Sequence, residues 1–110
     1  MKYFCKDNER VGTCYHEFQK GKFNGTDFWK ADSICIHDDI HCRIKLGELI
    51  KSVVSEYSPT DETGINREQW QMICQKANQS GNELAEVIAE ADIWVQKVYD
   101  EYDIFTMIGV

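Results

Sequence analysis

The final stretch, IFTMIGV (104–110), is apolar on both faces of an extended chain. A strand with one wet face alternates apolar and polar residues. A strand apolar on both faces needs cover on each side, so this one reads as buried in the middle of a sheet. Because it comes last, its sheet partners must come from far upstream, and the C-terminus is expected to be structural. The segment before it changes period. In NELAEVIAEADIWVQKVYDEYD (82–103), Leu84, Ile88, Ala91, Val95, Val98, Tyr99 and Tyr102 form one arc at helical spacing. A helix over 83–102 that returns the chain to a central strand makes this an α+β fold.

The remaining elements follow from punctuation and period. In the N-terminal third, KYFC, VGTCYHEFQK and DFWKADSICI read as strands, separated by the turn DNER (7–10) and by Asn24-Gly25. The Asn-Gly pair is the strongest hairpin signal in the chain, because a type I′ turn needs positive φ at both central residues. An N-terminal antiparallel β-meander of hairpins is therefore expected. The stripe Leu46, Leu49, Ile50, Val53, Val54 and Tyr57 predicts a first helix. SPTDETG (58–64) reads as a loop. Asn66 with Gln69 three residues on reads as a capping box opening a helix that buries Trp70, Ile73, Cys74 and Ala77. QSGN (79–82) ends that helix. The expectation is one domain over residues 1–110, with three helices and a C-terminal strand returning to the sheet.

CIHDDIHC (35–42) packs two cysteines, two histidines and two aspartates into eight residues. Even positions from Ile34 are mostly apolar and odd positions mostly polar, as in a strand with one wet face. Asp38-Asp39 suits a turn. A hairpin with a three-residue loop, 38–40, would pair His37 with His41 and Ile36 with Cys42, and put Cys42 in the core. Cysteine and histidine are zinc ligands, so the rival is a small metal-binding regulatory protein using Cys14, His16, Cys35, His37 and His41. The spacing matches no standard zinc motif, and no metal or other cofactor is expected.

A thiol enzyme needs a cysteine within reach of a histidine base. Cys14/His16 and Cys35/His37 are two apart on strands, which separates the side chains by about 7 Å. The chain has no Gly-rich phosphate loop, no GxSxG and no HExxH. These absences predict a protein that is not an enzyme. Five cysteines, an odd number without a CxxC, suit a reducing compartment. The N-terminus lacks an apolar signal region, and no apolar run approaches the roughly 18 residues of a membrane span. A cytoplasmic location is the expectation.

Charge gives the functional lead. The net charge is −7, but residues 1–55 carry nine basic and eight acidic residues, and residues 56–110 three basic and eleven acidic. The acidic half should repel nucleic acid and anionic membranes and attract a basic protein. The segment 82–103 holds seven acids and one lysine. Glu83, Glu86, Glu90 and Glu101 fall opposite its apolar arc. Trp94 lies at the border and Ile93 projects from the polar side. An aromatic anchor inside an acidic rim suits a basic partner, and the loop acids Asp61 and Glu62 would extend it. The same helix, with its acids in water and Trp94 at the edge of the core, is equally an ordinary amphipathic one.

INREQW (65–70), FW (28–29) and EADIWVQKVYDEYDIFTMIGV (90–110) give the chain its resemblance. A small acidic α+β domain ending in an acidic, Trp-bearing helix and an apolar strand resembles the immunity proteins of bacterial polymorphic and contact-dependent toxin systems. That resemblance implies a protein that binds and blocks a cognate toxin domain, a nuclease being one such class, and that has no catalytic residues. An adaptor docking its acidic helix on another cellular protein would present the same features.

Overall fold

The computed structural model describes residues Met1–Val110. Five strands, β1 (Phe4–Cys5), β2 (Tyr15–Lys20), β3 (Ile34–His37), β4 (Glu62–Asn66) and β5 (Ile104–Ile108), form one antiparallel sheet in the order β1-β3-β2-β5-β4. Four helices accompany it: α1 (Asp38–Arg43), α2 (Leu46–Val53), α3 (Arg67–Ser80) and α4 (Glu83–Tyr99). The fold is α+β, with three helices of ordinary length and the short α1 besides. No helix is long and apolar enough to cross a membrane.

The C-terminal strand lies between β2 and β4, as its two apolar faces require. Phe105 sits at the centre of the core, where the rings of Phe18, Trp70, Trp94 and Tyr99 all pack around it. The capping box also forms as expected: Asn66 Oδ1 accepts from the Gln69 N–H at 2.8 Å, and Gln69 Oε1 accepts from the Asn66 N–H at 2.9 Å. Trp70, Ile73 and Ala77 are buried and Cys74 partly so. Gly81, at φ +63°, takes the left-handed conformation that stops α3.

The N-terminal third is not a meander. β1 pairs with β3, so β3 lies between β1 and β2. Asn24-Gly25 makes no two-residue hairpin. Its Asn24 side chain instead accepts from the Thr26 and Asp27 N–H groups at 3.0 and 2.9 Å, a local turn that competes with strand pairing. The chain from 21 to 33 is an irregular excursion over one face of the sheet. Glu17, buried on β2, holds it there: its carboxylate accepts from the Trp29 and Lys30 N–H groups, the Ser33 hydroxyl and the Gln19 amide at 2.7–3.1 Å.

CIHDDIHC is not a hairpin. Strand β3 ends at His37, whose ring nitrogen caps α1 by accepting from the Asp39 N–H at 3.0 Å. Two aspartates in a first turn favour the positive end of a helix as well as they favour a loop, and here the helix forms. Cys42 is therefore exposed on α1 rather than in the core. Lys45, at φ +59°, breaks α1 from α2. SPTDETG is not wholly loop either: Glu62 to Asn66 form the edge strand β4, with Thr63 and Ile65 turned inward.

Candidate functional site

α4 was the first candidate surface, and the structure gives most of its acids internal partners. Glu90 accepts from three consecutive backbone N–H groups, Lys2, Tyr3 and Phe4, at 2.8–2.9 Å, and so fastens β1 to the helix. Glu86 accepts from the Tyr3 hydroxyl at 2.5 Å and pairs with Lys2 at 3.8 Å. Glu83 is bound by the Arg43 guanidinium, which holds its carboxyl below the usual range. Trp94 is half-buried against Phe18 and Phe105 and donates its indole N–H to the Asp32 carbonyl at 2.9 Å. It acts first as a core edge. Ile93 is 68% exposed.

These residues do not assemble into one acidic rim. Ile93, Trp94 and Glu90 share a cleft of about 310 Å³ with three lysines, Lys6, Lys20 and Lys97. Asp61 and Glu62 lie at the β4 edge of the sheet, opposite the β1 edge that Glu90 fastens. Glu101 lies beyond the helix, which ends at Tyr99 and not Tyr102. There the turn into β5 exposes Asp100, Glu101 and Asp103 around Tyr102, itself 44% exposed. Asp103 and Tyr102 border a cleft of about 320 Å³ with Glu68 and Arg67 from the start of α3. Arg67 donates to the Tyr99 carbonyl at 2.8 Å, and none of these four acids has an ion-pair partner. Four such acids gather at this corner, while Asp61 and Glu62, also without ion-pair partners, lie apart at the β4 edge. Only Glu101 of the expected set belongs to the corner.

Glu90 gives a test of its structural role. Glu90→Ala leaves three N–H groups of the N-terminal strand without their acceptor. Hydrogen bonds to a charged group contribute about 1.5–3 kcal/mol each at most, and exposed ones less, so a loss of about 2 kcal/mol is expected. Urea melts should show the loss, and hydrogen exchange should show it concentrated at residues 2–5. Unchanged protection there would mean that Glu90 does not hold the strand.

The five Cys and His residues of the metal rival are also dispersed. Cys14 is exposed. Cys35 is buried beside Glu17, and burial pushes its thiol up to about 12. His37 is used as the α1 cap. His16 and His41, however, meet. His16 projects from β2 and His41 from α1, and their rings stack with centroids 3.8 Å apart and planes 12° from parallel. Asp38, read from sequence as a turn residue, completes the group: its Oδ1 lies 2.7 Å from His16 Nε2. Tyr57 closes the other end, its hydroxyl 2.9 Å from His41 Nε2. Gly47 leaves room for the His41 ring, since a Cβ there would stand a tight 3.1 Å from it.

Burial lowers both histidines. His41 falls to about 4, with the adjacent His16 ring adding to the effect, and His16 falls although Asp38 pulls it the other way. Near neutral pH, then, both rings are neutral, and His16 donates its Nε2–H to the Asp38 carboxylate. The cluster opens onto a cleft of about 360 Å³ between α1 and α2, lined by Asp38, His41, Cys42, Lys45, Lys51 and Tyr57 among others. Sequence could single out both histidines, but only the α1 turn shows that Asp38 joins them. No family model, curated protein or solved structure matches the chain.

Proposed function

We propose that this protein is a non-enzymatic binding protein that neutralises a basic protein partner, in the manner of an immunity protein blocking a toxin domain. The observation that carries this is the corner where α4 turns into β5. Asp100, Glu101, Asp103 and Glu68 stand there without cation partners, beside the exposed ring of Tyr102. An unneutralised acidic rim speeds capture of a basic surface, and a tyrosine offers contact area with little side-chain entropy to lose. The net charge of −7 adds long-range attraction of the same sign. A nuclease toxin, whose own groove must be basic to hold nucleic acid, is the partner class this charge suits best.

The test is capture from the native host with tagged protein at low and moderate salt, followed by expression of any captured partner alone. One near-stoichiometric basic protein, toxic by itself, is expected. Glu101→Lys with Asp103→Lys should slow its association about tenfold at low salt and flatten the salt dependence. Tyr102→Ala should act mainly by faster release. A basic partner that binds the charge-reversed protein at the unaltered rate would remove this corner from the interface. Recovery of no basic partner at either salt would count against the function itself.

A further inference from the structure

We propose that His16, Asp38 and His41 form a binding site for a divalent first-row transition-metal ion, with zinc as the reference case, whose remaining coordination position faces the cleft between α1 and α2. One ring nitrogen of each histidine and a carboxylate oxygen of Asp38 lie within 4.8 Å of one another. Two imidazoles and one carboxylate form a donor set used by open zinc and non-haem iron sites. Zinc–nitrogen bonds of 2.0–2.1 Å put tetrahedral ligands about 3.3–3.5 Å apart. His16 and Asp38 are already closer than that, at 2.7 Å. Stacked imidazoles hold their lone pairs in near-parallel planes, so ion binding opens the Asp38 contact and turns the His41 ring out of the stack toward His16. Asp38 can move, because its side chain is 39% exposed at the start of a short helix.

The surroundings favour an ion over a merely packed pair. The rings are 1% and 4% exposed, so each carries polar nitrogens into the seam between sheet and helices. Apolar residues would fill that seam without the cost of burying polar atoms. Besides these movements, binding needs a tautomer change at His16: its proton moves from Nε2 to Nδ1, and the freed lone pair takes the ion. Tyr57 contacts His41 from outside the ligand set, the position from which a hydrogen bond fixes ring orientation. The cleft supplies an entry path, and only Asp38 of the three ligands is at its mouth without being buried.

Chelator-treated protein, kept reduced without a thiol, would be titrated with Zn²⁺ by competition against a chromophoric chelator, and with Co²⁺ for its ligand-field spectrum. One ion per chain is expected, with a rise in melting temperature. Asp38→Asn should weaken binding at least about tenfold, and Tyr57→Phe by a similar factor. His41→Gln, checked for folding by circular dichroism, should abolish the Co²⁺ spectrum. The triple variant Cys5→Ser, Cys14→Ser, Cys42→Ser should still bind one ion. The proposal is overturned if the protein takes up no ion at micromolar concentration. It is equally overturned if binding survives Asp38→Asn and His41→Gln unchanged, or is lost only with the cysteines. Partner capture by chelated protein is a separate readout, so this site and the acidic corner can fail independently.

Discussion

Glu17→Ala is expected to remove about 3–4 kcal/mol of stability, because it strips a shared charged acceptor from four donors at once, two of those bonds buried and two part-buried. Both carboxylate oxygens are used: one takes the Trp29 N–H and the Gln19 amide, the other the Lys30 N–H and the Ser33 hydroxyl. The donors come from a segment that has no strand or helix of its own. Trp29 is in the left-handed region at φ +60°, a conformation that costs a residue with a Cβ roughly 1–2 kcal/mol and persists here because its N–H is fixed. A domain of this size has about 5–15 kcal/mol in all, so the variant should melt roughly 15 °C lower. Trypsin should then cut at Lys22 or Lys30 before the rest of the fold opens. Glu17→Gln is the informative companion. It keeps the volume but turns an amide N–H toward groups that are themselves donors, so it should fall between wild type and alanine. A glutamine variant as stable as wild type, with residues 21–33 still protected, would show that the carboxylate is not what holds the excursion down.

That carboxylate also shows where the sequence stopped being legible. Glu17 falls on β2 where a half-wet strand would place a polar residue, and nothing near it in sequence announces that Trp29, Lys30 and Ser33 will cover it. Elements set by short-range chemistry could be read: the Asn66–Gln69 box, the Gly81 stop and the apolar β5. Elements set by competition between two local signals could not. Asp38-Asp39 suits a turn or the first turn of a helix, and the capping His37 decides for the helix. Asn24-Gly25 suits a hairpin, but the asparagine side chain bonds its own backbone. Strand β4 carries only Thr63 and Ile65 as its inward residues, around a glycine, too little alternation to stand out. The same choice between turn and helix governs the site. In a hairpin His41 would pair with His37 at the surface; on α1 it turns inward onto His16. The partners of the α4 acids were illegible for a different reason. The helical arc on α4 identifies which carboxylates face away from the apolar side, but the N-terminal strand and Arg43 reach that side and use them. Asp100, Glu101 and Asp103, past the helix end where no periodic pattern points, are among the acids left without an ion-pair partner.

The second large effect is a loss of stability on mild acidification, measured with chelator present. A histidine whose pKa is lower in the folded protein than in the unfolded chain takes up a proton on unfolding whenever the pH lies between the two values. Its contribution is full above the unfolded value, near 6.5, and falls as the pH drops toward the folded one. For His41 that window runs from 6.5 to about 4. Each unit within it costs about 1.4 kcal/mol, so this residue alone should remove about 2 kcal/mol by pH 5 and about 3 by pH 4. His16 moves in the same direction and adds to the loss. The groups facing the pair explain why the charged forms are disfavoured. The rings stack at 3.8 Å, so a proton on one opposes a proton on the other, and Tyr57, whose phenol burial raises to about 12, offers no negative charge. Asp38 is the single carboxylate in contact. It works the other way on His16, and its own pKa is lowered by the hydrogen bond from that ring, so its protonation matters only below the carboxylate range. Urea melts between pH 7 and 5 should therefore slope downward in wild type. His41→Phe keeps a flat ring against His16 without a titrating nitrogen, so its slope should be roughly half as steep. A wild-type profile that stays level to pH 5 would mean that water reaches these rings in the folded state, and that the seam between β2 and α1 is open where the packing shows it closed.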